Sequence, residues 1–457
     1  MPYDIIVGRS QADKQKFRNN GTIFLGKHFV QMGELVSLSS RVLMDVARTH
    51  VVLIVGKRGS GKSYSISVIA EEMMNLPEEI SKNLSIIMFD TMGVFWTMKY
   101  PNLRDQDLLE QWNLKPKAID INLHVPAGFF KEYKDKGLPA DYSFAIKTGE
   151  LDASDWCDAF VIDLTDPLGI IIEKTLEEAK EKFSNNFDIS DLIELIKKDK
   201  SASKTIKDAA INRFKSAERW GLFSNRGTEL QDLIKRGQIS ILDLSAYSMA
   251  PGGGQHIKNL VIGIISKKLL AERIVSRKLE ELDNIGLGEG KFIKSDVALE
   301  KPLIWIMIDE AHNFIGKDKN TSTSEALIQL LREGRQPGIS LILATQQPGS
   351  LQNDVLTQSD IVIGHRITSK TDINALSNMM QSYLLQDIHT YMNALPRLNG
   401  AAIVLDDNSE KIFPISVRPK LSWHGGEAPS AIKGSQEEQI KKILDIKRKI
   451  DLNMPVY

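Results

Sequence analysis

The clearest chemical signature is the segment GKRGSGKS, Gly56 to Ser63, which matches the pattern G-x-x-x-x-G-K-[ST]. The apolar run VVLIV precedes it and a helical pattern follows, so a turn between a strand and a helix is predicted. Successive N–H groups of such a turn face inward at a helix N-terminus and bind phosphate. The predicted nucleotide-binding residues are Gly56, Arg58, Gly59, Ser60, Gly61, Lys62, Ser63 and Tyr64.

Two residues of this segment supply what a nucleoside triphosphate needs. The Lys62 ammonium is expected to reach the β- and γ-phosphates, and the Ser63 hydroxyl is expected to be a ligand of Mg²⁺. The sequence therefore predicts ATP and Mg²⁺ as cofactors. The competing interpretation is an ordinary glycine turn between a strand and a helix, which the surrounding pattern disfavours.

A second group of candidates follows the apolar run LIWIMI, in the sequence DEAHNF. Asp309 stands where a carboxylate would hold Mg²⁺, and Glu310 stands where a general base would activate the attacking water. Acids also favour the beginning of a helix, so the pair could instead be an N-cap and a first-turn residue. An acid placed as a general base predicts hydrolysis of ATP.

The stretch LREGRQPGISLILATQQP places polar residues at both ends of a predicted buried strand. Gln346 is expected at the phosphate edge of the sheet, where an amide can orient the lytic water or sense the γ-phosphate; a plain polar residue at a strand end is the alternative. Arg335 follows the helix pattern SEALIQLLREG, whose C-terminus alone favours a cation. The sharper hypothesis is an arginine finger that enters a neighbouring subunit's site.

The elements that must position these residues alternate between apolar strands and amphipathic helices, which is typical of a parallel α/β sheet. We predict a P-loop ATPase core that is split by a helical insertion. The predicted boundaries are 1–50 for a short β-rich module, 51–150 for the first part of the core, 151–235 for the insertion, 236–420 for the second part of the core, and 421–457 for a tail with one helix.

Composition limits the class of protein. Lys and Arg number 58 against 59 for Asp and Glu, so any basic surface for nucleic acid has to be local. The single cysteine, Cys157, excludes an internal disulfide and indicates a reducing compartment. The start of the chain does not have the pattern of a signal peptide, and the apolar runs are too short to span a bilayer. A soluble cytoplasmic protein is expected.

Two lookalike motifs carry less weight. The letters DEAH at 309–312 spell the box of two-lobed helicases, but the sequence beyond them is occupied by the remaining strands of the first sheet. His312 lies at no metal-ligand spacing from another His or Cys, so no zinc site is predicted.

These motifs together resemble the HerA branch of the HerA–FtsK ATPases. The resemblance runs through GTIFLGK, VGKRGSGKS, ISILDLS, IMIDEAHNF, LLREGRQPGISLILATQQP, DIVIGHRITSKTD and LPRLNGAAIVL, over most of residues 20 to 420. It implies a RecA-like core with a small N-terminal β-barrel-like module. It also implies in-subunit roles for Lys62, Ser63, Asp309, Glu310 and Gln346, and an Arg335 that acts across a subunit interface.

The resemblance implies partners as well. Members of the family form homo-hexameric rings that hydrolyse ATP and move double-stranded DNA, and the short N-terminal module resembles bacterial members that work with a nuclease or a sirtuin-like NADase in phage defence. Arg-His usually precedes the P-loop strand, whereas this chain has ARTH at 47–50, which leaves a role for Arg48 open. A ring-shaped scaffold that controls an effector, and a monomeric nucleotide switch, are the alternative functions.

Overall fold

The computed structural model describes residues 3–32, 35–250, 254–288, 301–379, 388–396, 398 and 400–426. The strands are β1 (Ile5–Val7), β2 (Thr22–Met32), β3 (Leu35–Asp45), β4 (Val51–Val55), β5 (Leu84–Asp90), β6 (Ile121–Pro126), β7 (Tyr142–Phe144), β8 (Ile146–Lys147), β9 (Phe223–Ser224), β10 (Gln238–Asp243), β11 (Leu303–Ile308), β12 (Ile339–Thr345), β13 (Ile361–His365), β14 (Ala401–Asp406) and β15 (Lys411–Val417).

The helices lie between these strands. They are α1 (Gln11–Phe17), α2 (Lys62–Met74), α3 (Glu78–Ser81), α4 (Gln106–Gln111), α5 (Ala127–Asp135), α6 (Ala153–Phe160), α7 (Pro167–Phe183), α8 (Ile189–Lys198), α9 (Lys204–Glu218), α10 (Leu230–Leu233), α11 (Gln255–Gly288), α12 (Ser322–Glu333), α13 (Asn353–Gln358), α14 (Lys370–Met379) and α15 (Ile388–Ala394). None of the helices in the described part of the chain is both long and apolar enough to cross a membrane.

Thirteen of the strands form one sheet in the order β1-β3-β2-β15-β14-β13-β4-β12-β11-β5-β10-β6-β7. The run from β13 to β7 is parallel, whereas β14, β15, β2 and β3 pair antiparallel. The central strands are apolar along most of their length, with few polar residues such as Ser85 and Ser340, because helices cover both faces of the sheet. In β4, Leu53 and Val55 face one core, and Val52 and Ile54 face the other. The α/β prediction is confirmed.

Helices α6 to α9 occupy most of the predicted insertion and pack on one face of the sheet, where Trp156 and Phe214 are buried. Local sequence fixes where these helices begin. Asp152 and Asp155 form a reciprocal capping box at the start of α6, and Ser203 accepts a hydrogen bond from the Ile206 N–H at the start of α9. The predicted division of the chain into five segments stays a prediction.

Strands β1, β3 and β2 join the edge of the main sheet through pairing of β2 with β15. The described strands of the predicted N-terminal module therefore extend the core sheet, and a barrel-like closure is not confirmed. The helix predicted in the tail lies outside the described residues.

Candidate functional site

The glycine-rich segment is a tight turn between β4 and α2, as its spacing predicts. Gly59 has a φ of +72° and Gly61, the N-cap of α2, has a φ of +110°, which side chains rarely adopt. A Cβ on Gly56 would lie 2.3 Å from Ser60 Oγ and 2.7 Å from His365 Cβ, so the turn is too closely packed there for a side chain. The turn therefore places backbone N–H groups at a helix N-terminus, which is a site for phosphate.

Lys62 begins α2 and is 5% exposed. Its Nζ donates a hydrogen bond of 3.3 Å to the Lys57 carbonyl, across the loop that a phosphate would occupy. Burial lowers the pKa of the Lys62 ammonium, while the nearby Glu310 and Asp309 carboxylates act in the opposite direction. A long, weak hydrogen bond to one carbonyl leaves the other two donors of the ammonium available to phosphate oxygens.

Ser63 and Asp309 meet at the carboxyl edge of the sheet. The Ser63 hydroxyl donates to Asp309 Oδ2, and Asp309 Oδ1 accepts the Glu310 N–H at 2.8 Å. Burial raises the pKa of the Asp309 carboxyl, and the Ser63 hydroxyl opposes that rise. A hydroxyl and a carboxylate oxygen in contact fit Mg²⁺, which takes few protein ligands and completes its shell with water and phosphate oxygens.

Glu310 and Gln346 form the next contact along this edge. Gln346 Nε2 donates to Glu310 Oε1 at 2.5 Å, as expected for residues that follow the neighbouring parallel strands β11 and β12. The other carboxylate oxygen, Oε2, is buried without a hydrogen-bond partner among the described residues, and lies 3.5 Å from His312 Nδ1. Burial lowers the pKa of His312, so a neutral imidazole faces this oxygen. Glu310 Oε2 is thus available to accept a proton.

The backbone of Glu310 has a φ of +53°, a strained value for a residue with a side chain. Its side chain makes no capping hydrogen bond to the short 3₁₀ helix that follows, Ala311–Asn313. Helix capping therefore does not explain the acid at position 310. The observed hydrogen-bond partner of its carboxylate is the Gln346 amide.

We expect Glu310→Gln to keep ATP affinity and to slow hydrolysis by about 10²- to 10⁴-fold, because an amide has the same shape but cannot take a proton. Nucleotide binding by titration calorimetry and single-turnover hydrolysis check this. Glu325→Gln, in the first turn of α12, is the matched control and should hydrolyse ATP at the wild-type rate. Loss of ATP binding in Glu310→Gln would indicate a structural acid instead.

Arg335 lies at the opposite edge of the sheet. It stands in the turn of residues 334–338, before the first residue of β12, whereas Gln346 follows the last. Seven strand residues place the two about 20 Å or more apart. The Arg335 side chain is exposed, and its guanidinium has no partner within the described residues. The last turn of α12 has its own cation, Arg332, which pairs with Asp354 at 2.7 Å.

The remaining predicted residues have different surroundings. Arg58 is exposed at the tip of the turn. The Tyr64 hydroxyl accepts the Lys420 N–H at 2.5 Å, its ring packs edge-on against His424, and burial raises the pKa of Tyr64 to about 12. Only the Tyr64 backbone is therefore left for a phosphate. Arg48 pairs with Asp13 at 2.9 Å.

Sequence reasoning missed His365, at the end of β13. Its Nε2 is 2.8 Å from Ser65 Oγ, its ring packs behind Gly56 and Gly61, and burial lowers its pKa to about 4. A neutral ring thus supports the turn from behind. Its position at the end of the strand DIVIGH, next to the P-loop strand, is the signal that could have found it.

Asp90 and Asp243 were missed as well. They end β5 and β10, as Asp309 follows β11. Asp90 accepts the N–H groups of residues 92 to 95, and burial and the Asp243 charge raise its pKa to about 7. Lys258 Nζ, on α11, donates to the Thr91 carbonyl at 2.9 Å and to Ser248 Oγ at 2.8 Å. These groups fix the loops beside the strand that bears Asp309.

With this geometry in place, comparison with known proteins identifies relatives. Residues 30–269 match the family described as "Helicase HerA, central domain", and residues 294–443 match "Helicase HerA-like C-terminal". A probable helicase of Methanocaldococcus jannaschii, MJECL08, is 27% identical over 90% of this chain and 72% of its own length. The DNA double-strand break repair helicase HerA of Sulfurisphaera tokodaii is 23% identical over 82% of this chain and 66% of its own length.

Solved structures share the fold. VirB4 of Thermoanaerobacter pseudethanolicus superposes with a TM-score of 0.52 at 13% identity, over 87% of this chain and 96% of that one. The bacterial conjugative coupling protein TrwB superposes with a TM-score of 0.50 at 11% identity, over 90% of this chain and 98% of that one. At such identities the likeness concerns the fold alone.

Proposed function

Because this chain belongs to the HerA helicase family, we propose that it is a hexameric ring motor that couples ATP hydrolysis to translocation or unwinding of double-stranded DNA. Its family makes it an ATPase of the helicase type. In the proposal, Lys62 binds the β- and γ-phosphates, and Ser63 and Asp309 hold Mg²⁺. Bound Mg²⁺ would supply charge neutralisation at the phosphates. Glu310, oriented by Gln346, takes the proton of the attacking water.

The location of Arg335 carries the ring proposal. Its guanidinium is exposed and without a partner in the described residues, at the sheet edge opposite its own P-loop. A head-to-tail assembly brings that edge of one subunit to the P-loop edge of the next, and repetition of such a contact closes into a ring. Arg335 would then stabilise the charge on the transferring phosphoryl group in the neighbouring site.

Exposed apolar residues on α11 also favour assembly with another chain. Val275, Leu279, Leu282 and Ile285 on α11 are between 54% and 63% exposed, and their spacing places them on one helix face. Arg273, at the start of this stretch, donates to the Pro337 carbonyl in the Arg335 turn. Arg273 is buried, so the exposed stripe lies on the opposite face of α11, where it offers apolar area for a contact with a second copy of the chain.

Binding of duplex DNA, and its effect on ATP hydrolysis, test the proposed motor function. A chain with a net charge of −1 can grip DNA only through local Lys and Arg contacts, so binding should depend steeply on salt. For about four phosphate contacts, affinity should fall roughly 100-fold between about 50 and about 200 mM salt. We expect duplex to stimulate ATP hydrolysis at the lower salt concentration. Steady-state hydrolysis with and without duplex, and anisotropy titrations across this salt range, measure both effects.

The alternative function is a ring ATPase that organises an effector and moves little DNA. The resemblance to bacterial defence members favours a nuclease or a sirtuin-like NADase as that effector, in either function. Absence of DNA binding and stimulation, both for the chain alone and for its complex with the product of the adjacent gene, would reject the motor and favour the scaffold. Sizing the chain with and without that product identifies the assembly.

A further inference from the structure

The turn that carries Arg335 is held by two side chains from other elements. Backbone hydrogen bonds close the turn itself, from Gly334 N to the Leu330 carbonyl and from Ile339 N to the Gly334 carbonyl, both at 2.8 Å. From outside, Arg273 Nε donates to the Pro337 carbonyl at 2.7 Å. Thr49 Oγ1 donates to the Arg335 carbonyl at 3.1 Å. The position of Arg335 is thus set by residues of α11 and of the segment before β4.

Arg273 is the stronger of the two anchors. Its side chain is 2% exposed, and its Nη1 pairs with Glu280 Oε1 at 3.3 Å. Burying a guanidinium is costly unless its donors are satisfied, so the contact to the turn is part of what keeps this cation in place. Gly338, with a φ of +88°, makes room for it, because a Cβ there would lie 3.0 Å from Arg273 Nη2. The Arg335 turn therefore packs closely against the Arg273 guanidinium.

We propose that Arg273 is a positioning residue for Arg335, one that orients the arginine finger without touching nucleotide in either subunit. The inference rests on the proposed action of Arg335 across the interface. Its physical basis is that catalysis by a positioned charge is sensitive to displacement, and a shift of about 1 Å can reduce turnover by about 100-fold. The hydrogen bond from Arg273 fixes the turn on α11, a helix that Lys258 anchors to the loops beside Asp309.

The distance between the two anchors on α11 supports this role. Lys258 and Arg273 are fifteen residues apart, which corresponds to about 22 Å along the helix axis. One end of this span contacts the loops after β5 and β10, at the catalytic edge of the subunit, and the other contacts the Arg335 turn. The finger is therefore held at a fixed distance from its own subunit's catalytic edge.

Kinetics of Arg273→Met and of mixed rings test the inference. We expect kcat to fall roughly 100-fold with an unchanged KM for ATP, because the variant keeps its own P-loop and presents a misplaced finger. Co-assembly with Lys62→Ala subunits should restore activity, since those subunits supply a correctly held Arg335. Adding Arg273→Met to Arg335→Ala should lower turnover no further. Lys268→Met removes a cation of the same helix that pairs with Glu150, not with the partners of Arg273, and should behave as wild type.

Each outcome decides the matter. Suppose that Lys62→Ala subunits restore ATP hydrolysis to Arg335→Ala rings but not to Arg273→Met rings. That result overturns the positioning role of Arg273 and leaves the proposed function intact. Failure of both mixtures, with mixed rings shown to form, overturns the action of Arg335 across the interface and the inference with it. Should Arg273→Met fail to assemble, Arg273→Lys replaces it. A lysine ammonium can bind the Pro337 carbonyl or the Glu280 carboxylate but not both in the planar geometry of a guanidinium. We therefore expect Arg273→Lys to lower kcat by about 10-fold, and co-assembly with Lys62→Ala subunits to restore activity.

Discussion

We expect Lys62→Ala to lower ATP hydrolysis by about 10³-fold or more and to leave the fold intact. In the proposed function the Lys62 ammonium binds the β- and γ-phosphates, and removal of one such preorganised group costs several kcal/mol of transition-state stabilisation. Among the described residues, Lys62 Nζ makes one hydrogen bond, of 3.3 Å, to the Lys57 carbonyl. Its loss therefore leaves no strongly bonded group unpaired, and the thermal unfolding midpoint should change little.

Phosphate release assays on purified protein measure the loss, and thermal unfolding without nucleotide measures the fold. Lys174→Ala is the control, because that lysine forms an exposed ion pair with Asp199 in the insertion, remote in sequence from the P-loop. It should retain the wild-type rate. Hydrolysis by Lys62→Ala at a rate near that of wild type would show that the site is elsewhere.

We expect Arg335→Ala to lower turnover by roughly 10³-fold or more, the scale of an arginine finger, with little change in ATP affinity. Its own P-loop, Asp309 and Glu310 are untouched at the other edge of the sheet, so binding is preserved. The side chain has no partner within the described residues, so its removal breaks no contact there. In this variant, therefore, kcat should fall while the Kd for ATP stays close to that of wild type.

Mixing shows in which subunit Arg335 acts. An Arg335→Ala subunit keeps a complete P-loop, and a Lys62→Ala subunit keeps Arg335. In rings assembled at random from equal amounts, one half times one half, or about one quarter, of the interfaces pair an intact P-loop with an intact Arg335. Activity should recover toward about that fraction of wild type when interfaces act independently.

The control for mixing is a subunit with both substitutions. Combined with Arg335→Ala subunits, it offers no interface with a complete set of groups and should restore nothing. Two affinity tags, captured in sequence, establish that mixed rings form. If verified mixed rings of the two single variants stay inactive, Arg335 does not act across the interface.

The sequence allows the parallel sheet and the P-loop to be predicted because both are encoded locally. VVLIV, the glycines of the turn and the helix pattern after Lys62 lie within one stretch, and Asp309 follows its strand directly. The contact of Gln346 with Glu310 follows from the same logic, since neighbouring parallel strands end at the same edge.

The supporting groups could not be predicted, because their partners are distant in sequence. Ser65 meets His365 across 300 residues, and Glu71 of α2 binds Ser422 across 351. Local pattern also misleads near the end of α11. The segment DNIGLGEGKFIKSD, 283–296, is typical of an exposed loop, whereas helix α11 runs to Gly288 and the rest of the segment lies outside the described residues.

The position of β4 in the sheet has a consequence for biosynthesis. Its two neighbours, β12 and β13, are translated roughly 290 and 310 residues after it, a delay of about 15 to 60 s on the ribosome. Until then the P-loop strand has two open edges, which are prone to pair with other chains. The buried Glu71 carboxylate on the helix after the P-loop finds its Leu421 and Ser422 partners later still. A nascent chain of this protein thus completes its nucleotide site only after β12, β13 and residues 421–422 have been translated, and both edges of β4 are open to pairing with other chains until then.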